Sequence, residues 1–593
     1  VPERETAVTT VSNILSQRDL EFLLYEWLDV ESLTARPRFA EHSRETFDAF
    51  LQVSAQIAER EFATHNKRGD TEEPRFADGK AHVIPEVKAA LTAFNESGLL
   101  AGGLDAEDGG LQLPHVVHRA CFAWFQAANI ATSAYPMLTM GNANLLRTYA
   151  APEHVARFVA PMVEGRFTGT MCLSEPQAGS SLSDVTTRAV PAGDGTYRIT
   201  GSKMWISGGD HELSETIVHL VLARAAGAPP GVKGLSLFIV PKHVVGPDGV
   251  PGRRNGVDLV GLNHKMGFRG TTNAALSFTD SEGFLVGEEG RGLAYMFQMM
   301  NAARIGVGAG AVALGYTGYL HALAYARERV QGRPVAGKDP AAPPVPIIRH
   351  PDVRRMLLAS KTYVEGGLAL ILYAARLVDE QHTGDTAEAA EAALLLDMLT
   401  PIVKAWPSRW CLKANDHAIQ VHGGYGYTRE YPVEQFYRDN RLNPIHEGTD
   451  GIQGLDLLGR KVTMRDGAGL SLLVGKIREA AVRAPAELGW MAERLEAGCA
   501  RLVEVTGKLW SDADPTTALA NSTAYLNAAG HLVVAWMWLE QATAAAGREG
   551  AFYDGKRLAA RYFFAHELPR TTTWFDLLES RDTLLADLDD ACL

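Results

Sequence analysis

Cysteine is scarce and scattered. Five thiols stand in 593 residues, at Cys121, Cys172, Cys411, Cys499 and Cys592, and no two form a Cys-x-x-Cys pair. That spacing argues against a zinc site or a disulfide framework and for a reducing compartment, so no metal is expected. Basic charge is also short: 57 Lys and Arg against 70 Asp and Glu leave a net charge of −13 with His neutral. The balance argues against a general nucleic-acid binder, while a local basic groove for phosphates is compatible with it. No uninterrupted apolar run is long enough for a membrane span, and the start, Val1-Pro2-Glu3-Arg4-Glu5, is charged where a secretory signal would turn apolar. The expectation is a cytoplasmic protein without stable membrane insertion. A repeat of fixed period is missing as well, which argues against solenoids and propellers.

What is present is enough apolar material, 46% of residues, to fill two to four domains. Residues 1–165 read as helical, with apolar positions at helical spacing over 15–24 and 46–51, a polar linker over 70–80, and Pro85 opening a further helix. From about 166 to 290 short alternating runs dominate, the clearest at 197–200, 216–222, 235–240 and 274–278. Gly, Pro and Asp punctuate them, as in a compact β domain. Helical periodicity returns over 294–330, 351–380 and 387–421, with Pro401 and Pro407 expected to interrupt the last. Residues 463–593 read as an appended Ala-rich helical domain, with helices at 470–482, 485–509, 515–547 and 555–566.

The most informative stretch runs from Gln420 to Ile452. Gly423, Gly424 and Gly426 crowd four positions, so the backbone there can approach something flat or anionic without a Cβ in the way. Glu447 follows Ile445-His446 and precedes Gly448. A carboxylate in such a turn can occupy a narrow, partly dry pocket, where desolvation raises its pKa toward that of a useful base. On spacing alone, a glycine turn followed by a solvated helix and a surface Glu reads equally well.

Gln420-x-x-Gly423-Gly424-x-Gly426, then Glu430-Tyr431-Pro432-Val433-Glu434, Arg438-Asp439 and Glu447-Gly448-Thr449-x-x-Ile452-Gln453, resembles the C-terminal signature of the acyl-CoA dehydrogenases. Met171-Cys172-Leu173-Ser174-Glu175-Pro176-Gln177-Ala178-Gly179-Ser180 resembles a second block of that family. Gly201-Ser202-Lys203-Met204-Trp205-Ile206-Ser207 resembles a third, and Lys265-Met266-Gly267-Phe268-Arg269-Gly270-Thr271 a structural one beside the cleft. The likeness covers about residues 85–460 and is strongest to large members with an added C-terminal helical domain, among them medium/long-chain and methylthiopropanoyl-CoA dehydrogenases. It implies an α+β fold with an N-terminal helical domain (1–165), a middle β-barrel-like domain (166–290), a C-terminal four-helix bundle (291–462) and the extra helical domain (463–593).

The resemblance also implies FAD, an acyl-CoA substrate, an electron-transfer flavoprotein as electron acceptor, and a homo-oligomer of at least two chains. Glu447 becomes the catalytic base. The flavin contacts fall on Cys172, Leu173, Ser174, Gly179, Ser180, Trp205, Ser207 and Thr449, since hydroxyls and main-chain amides suit a reduced flavin that carries negative charge. Arg329, Gln331, Gln420, Gly423 and Gly424 would meet the FAD of a neighbouring subunit. Ser180, Arg304, His446 and Gly448 fall on the substrate side. The departures are Ser181 where Asp is common, Gly332 where Phe is usual, and His446 where Tyr is usual. Some relatives place the base on the long helix; here that position is Ala303, so Glu447 holds the role alone. Alternatives on the same scaffold are an acyl-CoA oxidase that uses oxygen, a flavin monooxygenase, and a noncatalytic nucleic-acid-associated relative. Glu447 weighs against the monooxygenase and the acidic charge against the last.

Overall fold

The computed structural model describes residues 12–334, 339, 341–512 and 514–593. The charged start Val1–Glu5 lies outside the described residues.

The N-terminal part is built on α1 (Arg44–Ile57), α2 (Pro85–Glu96), α3 (His115–Ala128) and α4 (Ile130–Tyr149). Helix α1 starts at a reciprocal cap, in which Ser43 N–H donates to Thr46 Oγ1 over 2.8 Å and Thr46 N–H donates to Ser43 Oγ over 3.4 Å. The expected linker over 70–80 is instead the end of a helix, Ala63–Thr71, and a hairpin pairing Arg75–Ala77 with Lys80–His82. Its turn is Asp78-Gly79, both with positive φ, the dipeptide that suits a two-residue hairpin.

Seven strands form one sheet: Phe167–Cys172, Arg188–Pro191, Tyr197–Ser207, Thr216–Ala225, Leu235–Pro241, Val257–Leu262 and Asn273–Leu285. Leu235–Pro241 pairs both with Thr216–Ala225 and with Asn273–Leu285, so five of the strands are joined in a ring of pairings. Phe167–Cys172 lacks a clear alternating signal because it runs parallel to Thr216–Val221 and is largely buried. Tyr197–Ser207 carries the third motif block along its length.

The bundle consists of α5 (Gly292–Glu328), α6 (Pro351–Thr383), α7 (Thr386–His422) and the shorter α8 (Val433–Asn440). Helix α7 runs through both Pro401 and Pro407, contrary to the expected interruption. Packing against α5 and α6 holds it continuous. The Val403 carbonyl, which Pro407 cannot bond, lies against Gly308 of α5, where a Cβ would stand 2.1 Å from that oxygen.

Beyond the bundle come α9 (Asp450–Asp456), α10 (Ala468–Arg483), α11 (Gly489–Leu509), α12 (Ser522–Ala544), α13 (Ala551–Tyr562) and α14 (Thr571–Ser580). The helix expected over 515–547 is split, a short turn Pro515–Leu519 preceding α12. These helices share a core with the bundle and the N-terminal helices. At its centre Lys556 of α13 is fully buried, paired with Asp19 and, at 2.9 Å, with Glu365 of α6. It also donates to Gln541 of α12 over 2.9 Å. Tyr316 of α5 donates to the second oxygen of Asp19 over 2.9 Å. The appended helices are thereby tied to three other parts of the chain. Among the described residues no helix is long and apolar enough to cross a membrane.

Candidate active site

Glu447 stands in a tight turn between α8 and α9. Its φ is +54° and that of Gly448 is +91°, a left-handed pair that costs the Glu about 1–2 kcal/mol and that the surroundings must hold. Two buried side chains do so from below. Lys404 of α7 donates its Nζ–H to the Gly448 carbonyl over 2.6 Å. Gln453 of α9 donates Nε2–H to the carbonyls of Glu447 and Gly448 at 3.0 and 3.3 Å. Thr449 caps α9, its Oγ1 accepting from Ile452 N–H. The Glu447 main-chain N–H donates to no acceptor among the described residues.

Desolvation raises the Glu447 carboxyl above its ordinary value, and the charges of Arg304 and Lys404 pull it partly back. Arg304 is itself buried and paired with Asp456 at 2.9 Å, so its charge is largely spoken for. Desolvation brings Lys404 down to about 8, against the opposing pull of Asp450 and Glu447. His446 sits at the end of a buried amide ladder. Its Nε2 meets Asn443 Oδ1 at 3.0 Å, Asn443 donates to Asn440 Oδ1 at 2.9 Å, and Asn440 donates to Asn415 Oδ1 at 2.7 Å. Burial and the nearby Lys404 push the imidazole down to about 3, so it is neutral at any ordinary pH.

The second and third motif blocks meet on the sheet. Lys203 Nζ lies 3.0 Å from Glu175 Oε1, both side chains fully enclosed, and also donates to the Leu173 carbonyl over 3.0 Å. The Glu175 carboxylate further accepts from the N–H and hydroxyl groups of Thr186 and Thr187 at 2.6–3.0 Å. Desolvation alone would raise the Glu175 carboxyl, but Lys203 and these donors hold it at about 2. Burial wins at the other end and pulls the Lys203 ammonium below its ordinary value, because fewer groups solvate it. Met204 N–H donates to the Ser174 carbonyl over 3.0 Å, fastening the two blocks side by side. Above this clamp Trp205 has φ +64° and is 60% exposed, an apolar ring held out toward a flat partner. Asn273 donates to Ser207 Oγ over 3.2 Å and orients that hydroxyl.

The third assembly lies at the shared end of α5 and α7. Arg329 follows the last turn of α5 and stands 5.6 Å over the Tyr425 ring of the glycine cluster. Tyr325 and His422 stack at 4.2 Å and bind the two helix ends together. Arg329, Gln331, Gln420, Gly423 and Gly424 are all exposed, and a Cβ on Gly423 or Gly424 would meet nothing within 4 Å. The surface is open, as an approaching phosphate or second chain requires.

Three family models match the chain. A model described as acyl-CoA dehydrogenase, middle domain, matches residues 170–281, and one for the acyl-CoA dehydrogenase C-terminal domain matches 290–462. An acetyl-CoA dehydrogenase C-terminal-like model matches 473–589. The chain belongs to the acyl-CoA dehydrogenase family. It is 38% identical to a 3-methylmercaptopropionyl-CoA dehydrogenase of Ruegeria pomeroyi, over 92% of this chain and 94% of that one. It is 34% identical to a broad-specificity linear acyl-CoA dehydrogenase of Mycobacterium tuberculosis, over 97% and 98%. A Bacillus anthracis acyl-CoA dehydrogenase solved with FAD shares the fold, with TM-score 0.75 at 20% identity over 94% of this chain and 90% of that one.

Within this acyl-CoA dehydrogenase the motif residues fall into three groups. Trp205 and Ser207 stand on strand Tyr197–Ser207, and Leu173, Ser174, Gly179 and Ser180 in the loop that follows Phe167–Cys172; Arg304, His446, Glu447, Gly448 and Thr449 lie around the turn; Arg329, Gln331, Gln420, Gly423 and Gly424 at the bundle end. Cys172 is placed differently from its neighbours. Its thiol is buried between Thr170 and His219 inside the sheet, pushed up to about 12 by desolvation, so only its main chain is left to face a ligand. Lys404, Gln453 and the Asn415–Asn440–Asn443 ladder are absent from the sequence-based site list. Lys404 had one signal, a lone charge in the apolar run Ile402-Val403-Lys404-Ala405-Trp406. The ladder had none, since it joins Asn415 of α7 to Asn440 at the end of α8 and Asn443 in the turn that follows.

Proposed function

We propose that the chain catalyses α,β-dehydrogenation of an acyl-CoA thioester to the trans-2-enoyl-CoA, with Glu447 as the base that takes the α-proton. The observation that carries the reading is the Glu447 turn: a desolvated carboxyl of raised basicity, beside a main-chain N–H without an acceptor among the described residues, in a member of this family. Bound FAD would supply the acceptor for the β-hydrogen as hydride. The fit to such a group rests on the outward Trp205 ring, the oriented Ser207 hydroxyl and the open glycines opposite Arg329. An α-proton next to a thioester is a very weak acid, so the carbonyl must be polarised as the proton leaves. The free N–H of Glu447 is the donor in place for this, and Lys404 and Gln453 fix its direction by holding the next two carbonyls. Electrons would pass on to an electron-transfer flavoprotein. The test is anaerobic mixing of the purified yellow protein with a panel of acyl-CoAs. The flavin bands should bleach with at least one, and a protein that neither carries nor takes up FAD overturns the proposal.

The base must be ionised to act, so the rate of flavin reduction should rise with pH through the raised Glu447 pKa and fall away below it. Lys404→Met removes a charge that favours the carboxylate and should move this acid limb to higher pH, by about 0.5–1 unit. Rapid-mixing rates across pH check it; an unmoved limb would remove Lys404 from the electrostatics of the base.

The open bundle end supports a homo-oligomer in which Arg329 and the glycine cluster of one subunit complete the FAD site of another. An Arg329→Ala chain should retain FAD poorly and a Glu447→Gln chain should turn over poorly. Mixed after unfolding and refolding together, they should regain activity, because the hybrid holds one site with both functions intact. No recovery in a verified hybrid would place Arg329 with its own subunit's cofactor.

A further inference from the structure

A cavity of about 540 Å³ opens between α6, α7 and the segment that joins α13 to α14, and its wall holds none of the residues around the Glu447 turn. Its rim is basic. Arg355 of α6, Arg409 and Lys413 of α7, and Arg570 line it, each with about half of its side chain exposed. Asp416 and Glu567 are the carboxylates on the same wall, so positive charge is in excess here, in a chain of net charge −13. His417 adds none: burial chiefly, then Lys413 and Arg355, bring its imidazole down to about 4. The cations are lightly engaged. Arg355 and Lys413 each pair with an aspartate three residues away on their own helix. Arg409 reaches Asp450 only at 3.8 Å and, among the described residues, donates no hydrogen bond. Exposed pairs of this kind are worth at most about 1 kcal/mol, so an anion with several oxygens displaces them at small cost.

Below the rim the wall is aromatic and apolar. Tyr363, Trp410 and His417 are buried there, with the Tyr363 ring 5.4 Å from that of Trp410 and 6.4 Å from the imidazole. The Arg570 guanidinium stands 5.4 Å over the Trp410 ring, and Met356 and Ala359 extend the apolar floor. The volume is that of a small-molecule site, and an inorganic phosphate would fill only its basic edge. Guanidinium groups above and rings below suit a ligand divided in the same way, a flat ring joined to a group with two or more negative charges. We propose that this cavity binds a nucleotide, its phosphates among Arg355, Arg409, Lys413 and Arg570 and its base on the floor beside Trp410. Gln420 forms one end of the wall and also belongs to the proposed intersubunit cofactor contact. The Arg570 side comes from the appended helical region, which has no part in that contact.

Calorimetric titration of the FAD-loaded protein with ADP, adenosine and pyrophosphate is the experiment. ADP should bind once per chain, and adenosine and pyrophosphate, each with half of the chemistry, roughly 10-fold more weakly or worse. The Arg409→Met/Lys413→Met variant changes two exposed side chains. It should weaken ADP by roughly 10-fold or more while flavin content and thermal unfolding stay as in the wild type. CoA carries an adenosine phosphate too and is titrated in parallel; whichever of the two loses affinity in the variant is the occupant. Affinities for ADP and CoA that the variant leaves unchanged would overturn the proposal, as would pyrophosphate binding as tightly as ADP. ADP binding seen only after FAD is stripped, and lost when FAD returns, would overturn it as well, because the cavity would then be part of the cofactor's own site. If the double variant does not fold, the wild-type order of ADP, adenosine and pyrophosphate and the single Lys413→Met variant decide. These readouts use no acyl-CoA turnover, so this proposal and the dehydrogenase reading fail separately.

Discussion

Glu447→Gln is expected to keep the fold and the FAD while lowering the rate of flavin reduction by about 10²–10⁴-fold. The amide matches the carboxylate in size and leaves the turn supported by Lys404 and Gln453, but it cannot take a proton. Substrate affinity should therefore change little while the chemical step stops, a fall in kcat with KM nearly constant. His446 is the neighbouring rival. Its imidazole is already neutral at about 3, fixed through Nε2 on Asn443, and protonating it would place a second cation in the enclosed space beside Lys404. His446→Phe should accordingly retain substantial activity, with the Phe268 ring, now 6.3 Å from the imidazole, as a ready packing partner. Anaerobic bleaching by saturating acyl-CoA separates the two residues. Fast bleaching with Glu447→Gln and none with His446→Phe would transfer the base role to the histidine.

Lys203→Met should cost about 3–5 kcal/mol of stability and release the cofactor, although the Lys203 side chain is fully enclosed. The substitution strands the Glu175 carboxylate in the sheet with only neutral donors, and it removes the bridge from that carboxylate to the Leu173 carbonyl. Leu173, Ser174 and the Trp205 strand would then lose the clamp that sets them side by side. The double variant Glu175→Gln/Lys203→Met should recover much of the loss, since no buried charge is left unmatched. Urea unfolding followed by flavin absorbance and by tryptophan fluorescence measures both effects. A single variant as stable as the wild type would show that the pair is not what holds the platform. The pH window follows from Glu175. Its folded pKa, about 2, lies below the unfolded value of about 4.3, so its contribution is fully present above about pH 4.3. It fades as pH falls toward 2, and the variants without the pair should lose less stability across that interval.

Much of this was legible before any coordinate. The helical, β and helical order, the glycine cluster and the Glu447 turn are local patterns, each written in one continuous stretch of chain. Where the reading slipped, a local rule met a tertiary one. Two prolines should have broken α7, but burial between α5 and α6 carried the helix through. The 70–80 stretch reads as polar linker until Asp78-Gly79 is recognised as a hairpin turn. Phe167–Cys172 alternates too little to announce itself because both of its faces are covered.

By itself, the sequence determined the family and the order of its parts and singled out Glu447 as the candidate base, because those depend on residue types at fixed short spacing. It could not say which charges would be matched. Glu175 finds Lys203 28 residues on, Arg304 finds Asp456 152 residues on, and Asp19 finds Lys556 537 residues on. Lys404 reaches the Gly448 carbonyl across 44 residues. Pairing at such separations is decided only when helices and sheet pack. The packing sets desolvation as well as distance, and those two quantities fix whether a buried charge is clamped in a pair, as at Glu175, or left with a raised pKa, as at Glu447.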